Sequence, residues 1–237
     1  MLIVKAVFTP SPPQSKSFHA LPVRTIPACG QVGGSIKFMD ESAQISIVMP
    51  CLNEAETLAN CIRKALKGIS EAGIDGEVLI ADNGSTDGSR EIALQEGARI
   101  ICIERKGYGN ALRGGIEAAF GEWILIGDAD DSYDFSNIKP FVEKLHQGHE
   151  LVMGCRMPRG GGTVLPGAMP WKLRWIGNPI LTFIGRLFFK CPANDFHCGM
   201  RAFTKEGYLR MDPISAESFR PPPSSYWGSN FFSGASF

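Results

Sequence analysis

A chain of 237 residues with 44% apolar and 20% charged content can bury one sizeable core and leaves little room for a second domain. Its 24 basic residues balance 24 acidic ones, so it lacks the electrostatic footprint that phosphate-backbone binding needs, which argues against nucleic acid as a partner. No apolar run reaches the roughly 18 residues that span a bilayer, since Pro179 and Arg186 interrupt the best candidate, Trp175 to Phe189.

Residues 1–43 read as a disordered N-terminal extension. Asp40 is the first acid, and the preceding stretch mixes Pro, Ser, Gly and a few cations without periodicity. Met1 to Phe8 is apolar but short, contains Lys5 and is followed by Pro10, Pro12 and Pro13, which makes a poor signal peptide. A transit peptide would share this composition, but an untidy upstream extension accounts for it more simply. The seven cysteines, Cys29, Cys51, Cys61, Cys102, Cys155, Cys191 and Cys198, form no C-x-x-C pair and read as reduced thiols of a cytosolic protein.

From Ile45 the texture changes. Ile45 to Met49 is a β-branched apolar run closed by Pro50, as in a buried strand. Asn53 can cap a helix on which Leu58, Ala59, Ile62, Ala65, Leu66 and Ile69 recur at helical spacing. Glu77 to Ala81 is a second strand, Asp87 to Ala93 a helix and Arg99 to Ile103 a third strand. A helix from Gly109 to Phe120 precedes a fourth strand, Glu122 to Gly127. A helix from Asn137 to Leu145 and a strand from Leu151 to Gly154 close the series. This alternation predicts a Rossmann-like α/β fold with a mostly parallel central sheet flanked by helices.

Ligands of such sheets bind at the carboxyl ends of the strands, and the polar residues collect there: Asn53-Glu54, Asp82 to Ser85, Asp128 to Asp131 and Cys155-Arg156. Asp128 and Asp130, leaving a buried strand, can share a hard divalent cation completed by diphosphate oxygens and water. A solvated acidic turn is the plain alternative, but the apolar run Trp123 to Gly127 before it favours the metal. Asp82 to Gly88 offers acceptors for a base or ribose, and would look the same as an ordinary β-to-α turn; both readings can hold together. Gly107-Tyr108-Gly109-Asn110 permits a close backbone approach but is more often only a tight turn.

Taken in order, Val48 to Glu54, Asp82 to Gly88, Asp128-Ala129-Asp130, Gly154-Cys155-Arg156 and Asp195 to Arg201 resemble the family 2 glycosyltransferases of the GT-A fold, with the nearest likeness to the polyprenyl-phosphate (dolichol-phosphate mannose or glucose synthase-like) branch. The resemblance covers Ile45 to Met211 and implies a catalytic domain over residues 44–211. It implies that Pro50, Asn53, Glu54, Asp82 and Asn83 hold the base and ribose of a UDP- or GDP-sugar, and that Asp128 and Asp130 hold its diphosphate through Mg²⁺ or Mn²⁺. Many relatives carry Asp at the place of Asn83, which puts the base preference in question. Arg156 and Arg201 would grip phosphates, since a guanidinium can bind them bidentately. Asp130, through the metal, and Asp195, as a carboxylate that deprotonates or orients the acceptor, are the catalytic candidates. His197 reads as a packing or orienting residue.

The stretch Trp171 to Lys190 interleaves aromatics with Lys172, Arg174 and Arg186. A membrane-interface helix pair and an ordinary amphipathic helix on the sheet are equally compatible with it; the resemblance, in which this region approaches a lipid-phosphate acceptor, tips it toward a membrane surface at the cytosolic face. Residues 212–237 read as an unstructured or foreign tail, and with it as a truncation of the family pattern. The expected function is metal-assisted, inverting transfer of a hexose from a nucleotide-sugar to a polyprenyl phosphate. A truncated, inactive nucleotide-sugar-binding fragment is the alternative. A sugar-phosphate nucleotidyltransferase would need a Gly-rich basic loop where Pro50 to Glu54 stands.

Overall fold

The computed structural model describes residues 3–8, 43–156, 177–189, 195 and 198–211. The proposed tail at 212–237, most of the N-terminal extension, the first part of the Trp171–Lys190 stretch and His197 lie outside the described residues.

Seven strands form one sheet: β1 (Ile3–Phe8), β2 (Ile45–Cys51), β3 (Gly76–Asp82), β4 (Arg99–Cys102), β5 (Trp123–Ile126), β6 (Leu151–Cys155) and β7 (Arg201–Thr204). Their spatial order is β1-β6-β7-β5-β2-β3-β4. β5, β2, β3 and β4 are mutually parallel. β7 runs antiparallel to both β5 and β6, and β1 antiparallel to β6, so five strands point one way and two the other. The expected mostly parallel α/β architecture holds.

Helices α1 (Leu58–Ala72), α2 (Ser89–Gln95), α3 (Tyr108–Ala118), α4 (Lys139–His146), α5 (Asn178–Phe189) and α6 (Lys205–Met211) alternate with the strands. Side chains two apart on a strand share a face, and the parallel strands divide accordingly. Ile45, Ile47 and Met49 of β2 and Val78 and Ile80 of β3 pack with Leu58, Ile62 and Ala65 of α1, with Phe141 and Leu145 of α4, and with Phe135. Val48, Leu79, Ala81 and Ile124 face the opposite way, against Ala111, Leu112 and Ile116 of α3. Both faces are covered, which is why these strands read as unbroken apolar runs. α3 lies close because Gly115 has no side chain: a Cβ there would stand 2.4 Å from Val48 Cγ1.

Four elements depart from the sequence expectation: β1, β7, α6 and the start of α1. Ile3–Phe8, placed in a disordered extension, pairs along β6; Lys5 and the short length hid a strand of mainly β-branched and apolar residues. β7 starts on the last residue of the Asp195 to Arg201 motif and α6 lies past it; they leave no clear sequence signal, since a four-residue strand buried by pairing on both sides carries no periodicity of its own. Asn53 does not cap α1, which starts at Leu58 after Thr57. Of the cysteines expected to be reduced, Cys51, Cys61, Cys155 and Cys198 are free, whereas Cys102 is disulfide-bonded.

At the amino ends of the parallel strands sits a buried polar cluster. Glu77, 1% exposed, accepts from Ser46 Oγ at 2.6 Å, from Arg99 Nε and Nη2 at 2.8 and 3.0 Å, and from the Phe120 amide at 2.8 Å. Ser46 Oγ also accepts from the Gly121 amide, and Arg99 donates to Ala118 O while lying 4.0 Å over the Phe120 ring. Lys205 Nζ donates to Ala119 O at 2.6 Å.

Candidate active site at the carboxyl ends of the strands

The loops leaving β2, β3 and β5 interlock at the opposite edge. After β2, the chain turns through Asn53 at φ 59°. Asn53 Oδ1 accepts from the Thr86 amide at 2.9 Å, and its own amide donates to Ser85 Oγ at 2.9 Å. Glu54 N donates to Ser89 Oγ and Ala55 N to Asp87 Oδ2. The Asn53 side chain is thus engaged by the neighbouring turn, which is why it is not available as a helix cap. Pro50 is buried within β2, in register with Ala81.

Asp82 ends β3 and is 1% exposed. It accepts from the Gly84 and Ser85 amides at 3.1 and 3.0 Å and from Arg90 Nε at 2.6 Å. Burial pushes its carboxyl up, but the hydrogen bonds from Ser85, Arg90 and Gly84 outweigh it and hold it below the usual range. Asn83 is equally engaged. Its Nδ2 donates to Ile103 O at 3.0 Å and Arg105 O at 2.8 Å, and its Oδ1 accepts from Gly107 N at 2.7 Å. The expected base-binding side chains Asp82 and Asn83 therefore organise their own loops.

The acidic run after β5 splits by role. Asp128 Oδ1 accepts from Tyr108 Oη at 2.5 Å, and Asp130 is exposed, with Oδ1 accepting from Ser132 N. Asp131, at φ 60°, turns to α1, where Lys64 Nζ and Asn60 Nδ2 each reach it at 2.7 Å. Thr57 Oγ1 donates to Ala129 O at 2.7 Å, so α1 fastens this loop from below.

Burial raises the Asp128 carboxyl; the Tyr108 hydroxyl works against this, and the charge of Asp130 adds to it. Burial is also the largest cause raising Glu54, followed by the charges of Asp130, Asp87 and Asp128. These four carboxylates share one field, and the charges of Asp130, Asp87 and Asp128 all act on Glu54. Two side-chain oxygens donors in an acidic, partly exposed setting suit a hard divalent ion that keeps open positions for ligand oxygens. Among the described residues no group of three or more His, Cys, Asp or Glu is arranged to hold a metal ion.

Asp195, 1% exposed, accepts from Arg156 Nε at 2.9 Å, Nη2 at 3.1 Å and the Arg156 amide at 3.1 Å. The Arg156 guanidinium thus grips this buried carboxylate through two nitrogens, and Asp195 anchors Arg156. Burial opposes the charge of Arg156, but Asp195 outweighs it and raises its pKa. Arg201, 3% exposed, donates from Nε to Cys198 O at 2.8 Å; burial lowers its pKa. Its charge lowers the Asp128 pKa.

The sequence alone assigns no role to Tyr108, noted only within a turn, or to Tyr133, yet both make contacts at the candidate site. Tyr133 Oη accepts from Gly199 N at 2.9 Å, and a Cβ at Gly199 would meet that oxygen at 2.6 Å. The contact links positions 66 apart in the chain, so no local pattern announces it. The Gly107-Tyr108 turn was visible, but its partner Asp128 was not.

α5 has inverted polarity. Thr182 and Gly185 face inward, while Ile180, Leu181, Phe183, Ile184, Leu187 and Phe188 are exposed, Phe183 to 66% and Phe188 to 74%. No helix among the described residues is long and apolar enough to cross a membrane.

A sheet of this order with carboxylates gathered at its parallel strand ends defines a GT-A type domain. The family model described as "Glycosyl transferase family 2" matches residues 46–210, and the chain belongs to that family. It is 37% identical over 174 residues to the low-salt glycan biosynthesis hexosyltransferase Agl6 of Haloferax volcanii, a match covering 73% of this chain and 41% of that protein. To the glycosyltransferase AglJ of the same organism it is 34% identical, over 70% of this chain and 52% of the other. The chain thus spans about half the length of these curated relatives. Among solved structures, a mycobacterial protein is 26% identical with a TM-score of 0.50, covering 70% of this chain and 54% of that one.

Proposed function

We propose that this domain transfers a hexose from a UDP- or GDP-sugar to a polyprenyl-phosphate-type acceptor, with help from Mg²⁺ or Mn²⁺, at the cytosolic face of a membrane. The observation that carries the donor side is the shared acidic field of Glu54, Asp128 and Asp130 beside the β2 and β3 exit turns. A divalent ion held by Asp128 and Asp130 would supply Lewis-acid neutralisation of the departing nucleotide diphosphate. The chain's own groups do the rest. Asn53 and Asp82 fix the turns that would cradle the nucleoside, Tyr108 orients Asp128, and Asp195 holds Arg156 toward the phosphates. An acceptor phosphate oxygen forms a bond to the anomeric carbon as the bond from that carbon to the diphosphate oxygen breaks, which inverts the centre. A phosphate monoester acceptor needs little deprotonation, so the transfer asks little of a general base.

The acceptor side rests on α5. An exposed helix face of Ile180, Phe183, Ile184, Leu187 and Phe188 suits an acyl boundary better than water, and the family 2 hexosyltransferase relatives support a sugar-transfer role.

Thermal-shift titration of UDP, GDP and their hexose conjugates with and without Mn²⁺, followed by nucleotide release with a short polyprenyl phosphate, tests both halves. A Mn²⁺-dependent shift with no release under any acceptor would leave a nucleotide-sugar-binding fragment instead; an equal shift in excess chelator would remove the metal from the proposal.

A further inference from the structure

The loop contacts of Asn83 extend beyond its own turn. Its side chain fastens three successive points of the segment between β4 and α3: Ile103 O, Arg105 O and Gly107 N. Its backbone oxygen also accepts from Lys106 Nζ at 2.6 Å, and its amide donates to Cys51 O at 2.9 Å. Asn83 is 4% exposed, so both amide protons and the amide oxygen are in use within the protein.

Gly107, at φ 119°, is the residue immediately before α3, and Tyr108 opens that helix. The Tyr108 hydroxyl reaches across to Asp128 at 2.5 Å. The path therefore runs from the β3 exit, through Asn83 and the Gly107 amide, to the first side chain of α3, and ends on a carboxylate after β5.

Building on the proposed metal-assisted reading, we infer that Asn83 is a positioning residue: it sets Tyr108, and through it the orientation of Asp128, and does not contact the nucleobase. An amide is required because two of its three partners are carbonyls and the third is an N–H. A carboxylate could still accept from Gly107 N but would face Ile103 O and Arg105 O with no proton to donate. This chain therefore depends on Asn at position 83.

The test compares Asn83→Asp, Asn83→Ser and Tyr108→Phe in the full chain. UDP-induced thermal shift is measured against Mn²⁺ concentration and again in chelator, with unliganded melting temperature recorded for each variant. Losing a hydrogen bond to a charged group is worth about tenfold in affinity, so each variant should raise the Mn²⁺ concentration for half of the shift about tenfold. The metal-free preference between UDP and GDP should stay that of the unaltered protein. The Asn83→Asp, Tyr108→Phe double variant should be little weaker than either single one, because both break the same path. Additive losses, or an altered UDP-to-GDP preference in chelator with the Mn²⁺ dependence intact, would overturn the inference and return Asn83 to the base pocket. If Asn83→Asp does not fold, Asn83→Ser and Tyr108→Phe supply the same cycle. Absence of any Mn²⁺-dependent shift in the unaltered protein would count against the metal-assisted reading itself; a normal shift there with unchanged variants would count against Asn83 alone.

Discussion

The two ends of the same sheet handle charge in opposite ways. At the amino ends, Glu77 is buried and meets Arg99, Ser46 and a backbone amide, so its negative charge is answered on several sides. At the carboxyl ends, the charge of Asp130 raises the cost of ionising both Glu54 and Asp128, and the third acid of the run, Asp131, is held by a lysine. The first cluster ties strands together; the second holds charge that a bound cation can relieve. Catalytic sites commonly sacrifice local stability in this way.

The largest effect that could break this contrast is on the amino side. Glu77→Ala leaves a guanidinium and an amide without their buried acceptor and should cost about 3–5 kcal/mol, read from urea denaturation; a loss near zero would show that the cluster is not structural. Next comes the carboxyl side, where Asp130→Ala should leave the unliganded melting curve nearly unmoved. The same change should abolish the Mn²⁺-dependent part of the nucleotide shift, about 2.7 kcal/mol at a ligand concentration of 100 times Kd.

A smaller effect sharpens the contrast through pH. The folded-state pKa of Asp128 is raised, so the native state holds its proton more tightly than the unfolded chain does. Stability then falls as pH rises from the ordinary carboxylate value through the raised one. Asp128→Asn should therefore gain on the unaltered protein across that window and not below it. Asp82 behaves oppositely: its lowered pKa gives stability that is present above the ordinary value and lost as pH falls through the folded one. Acid titration of Asp82→Asn beside Asp128→Asn should show opposite slopes. Least of all, Glu71→Ala, which breaks the exposed Lys67–Glu71 pair on α1, should change stability by only about 0.3–0.5 kcal/mol and serves as the baseline for the other changes.

Much of the scaffold was legible because the parallel strands are covered on both faces, and such strands show as apolar runs such as Ile45 to Met49. Both helix faces also left their periodicity on α1 and α4. The place of the site was legible too, since polar residues stop those runs at Asn53, Asp82 and Asp128. The duties of individual side chains were not. Whether Asp195 faces a substrate or Arg156, and whether Asn83 meets a base or Gly107, depends on contacts 39 and 24 positions apart. The edge strand Ile3–Phe8 was missed for a related reason, since its partner β6 lies far along the chain.

The placement of β7 has a consequence for biosynthesis. β5 and β6 are not hydrogen-bonded to each other; β7, made almost fifty positions after β6 begins, enters between them. While the ribosome is still adding those residues, each of the two strands has an unpaired flank, the kind of edge that recruits other chains. A nascent polypeptide of this design would need shielding until its Arg201–Thr204 segment emerges, and the delay should make the yield of soluble product sensitive to translation speed.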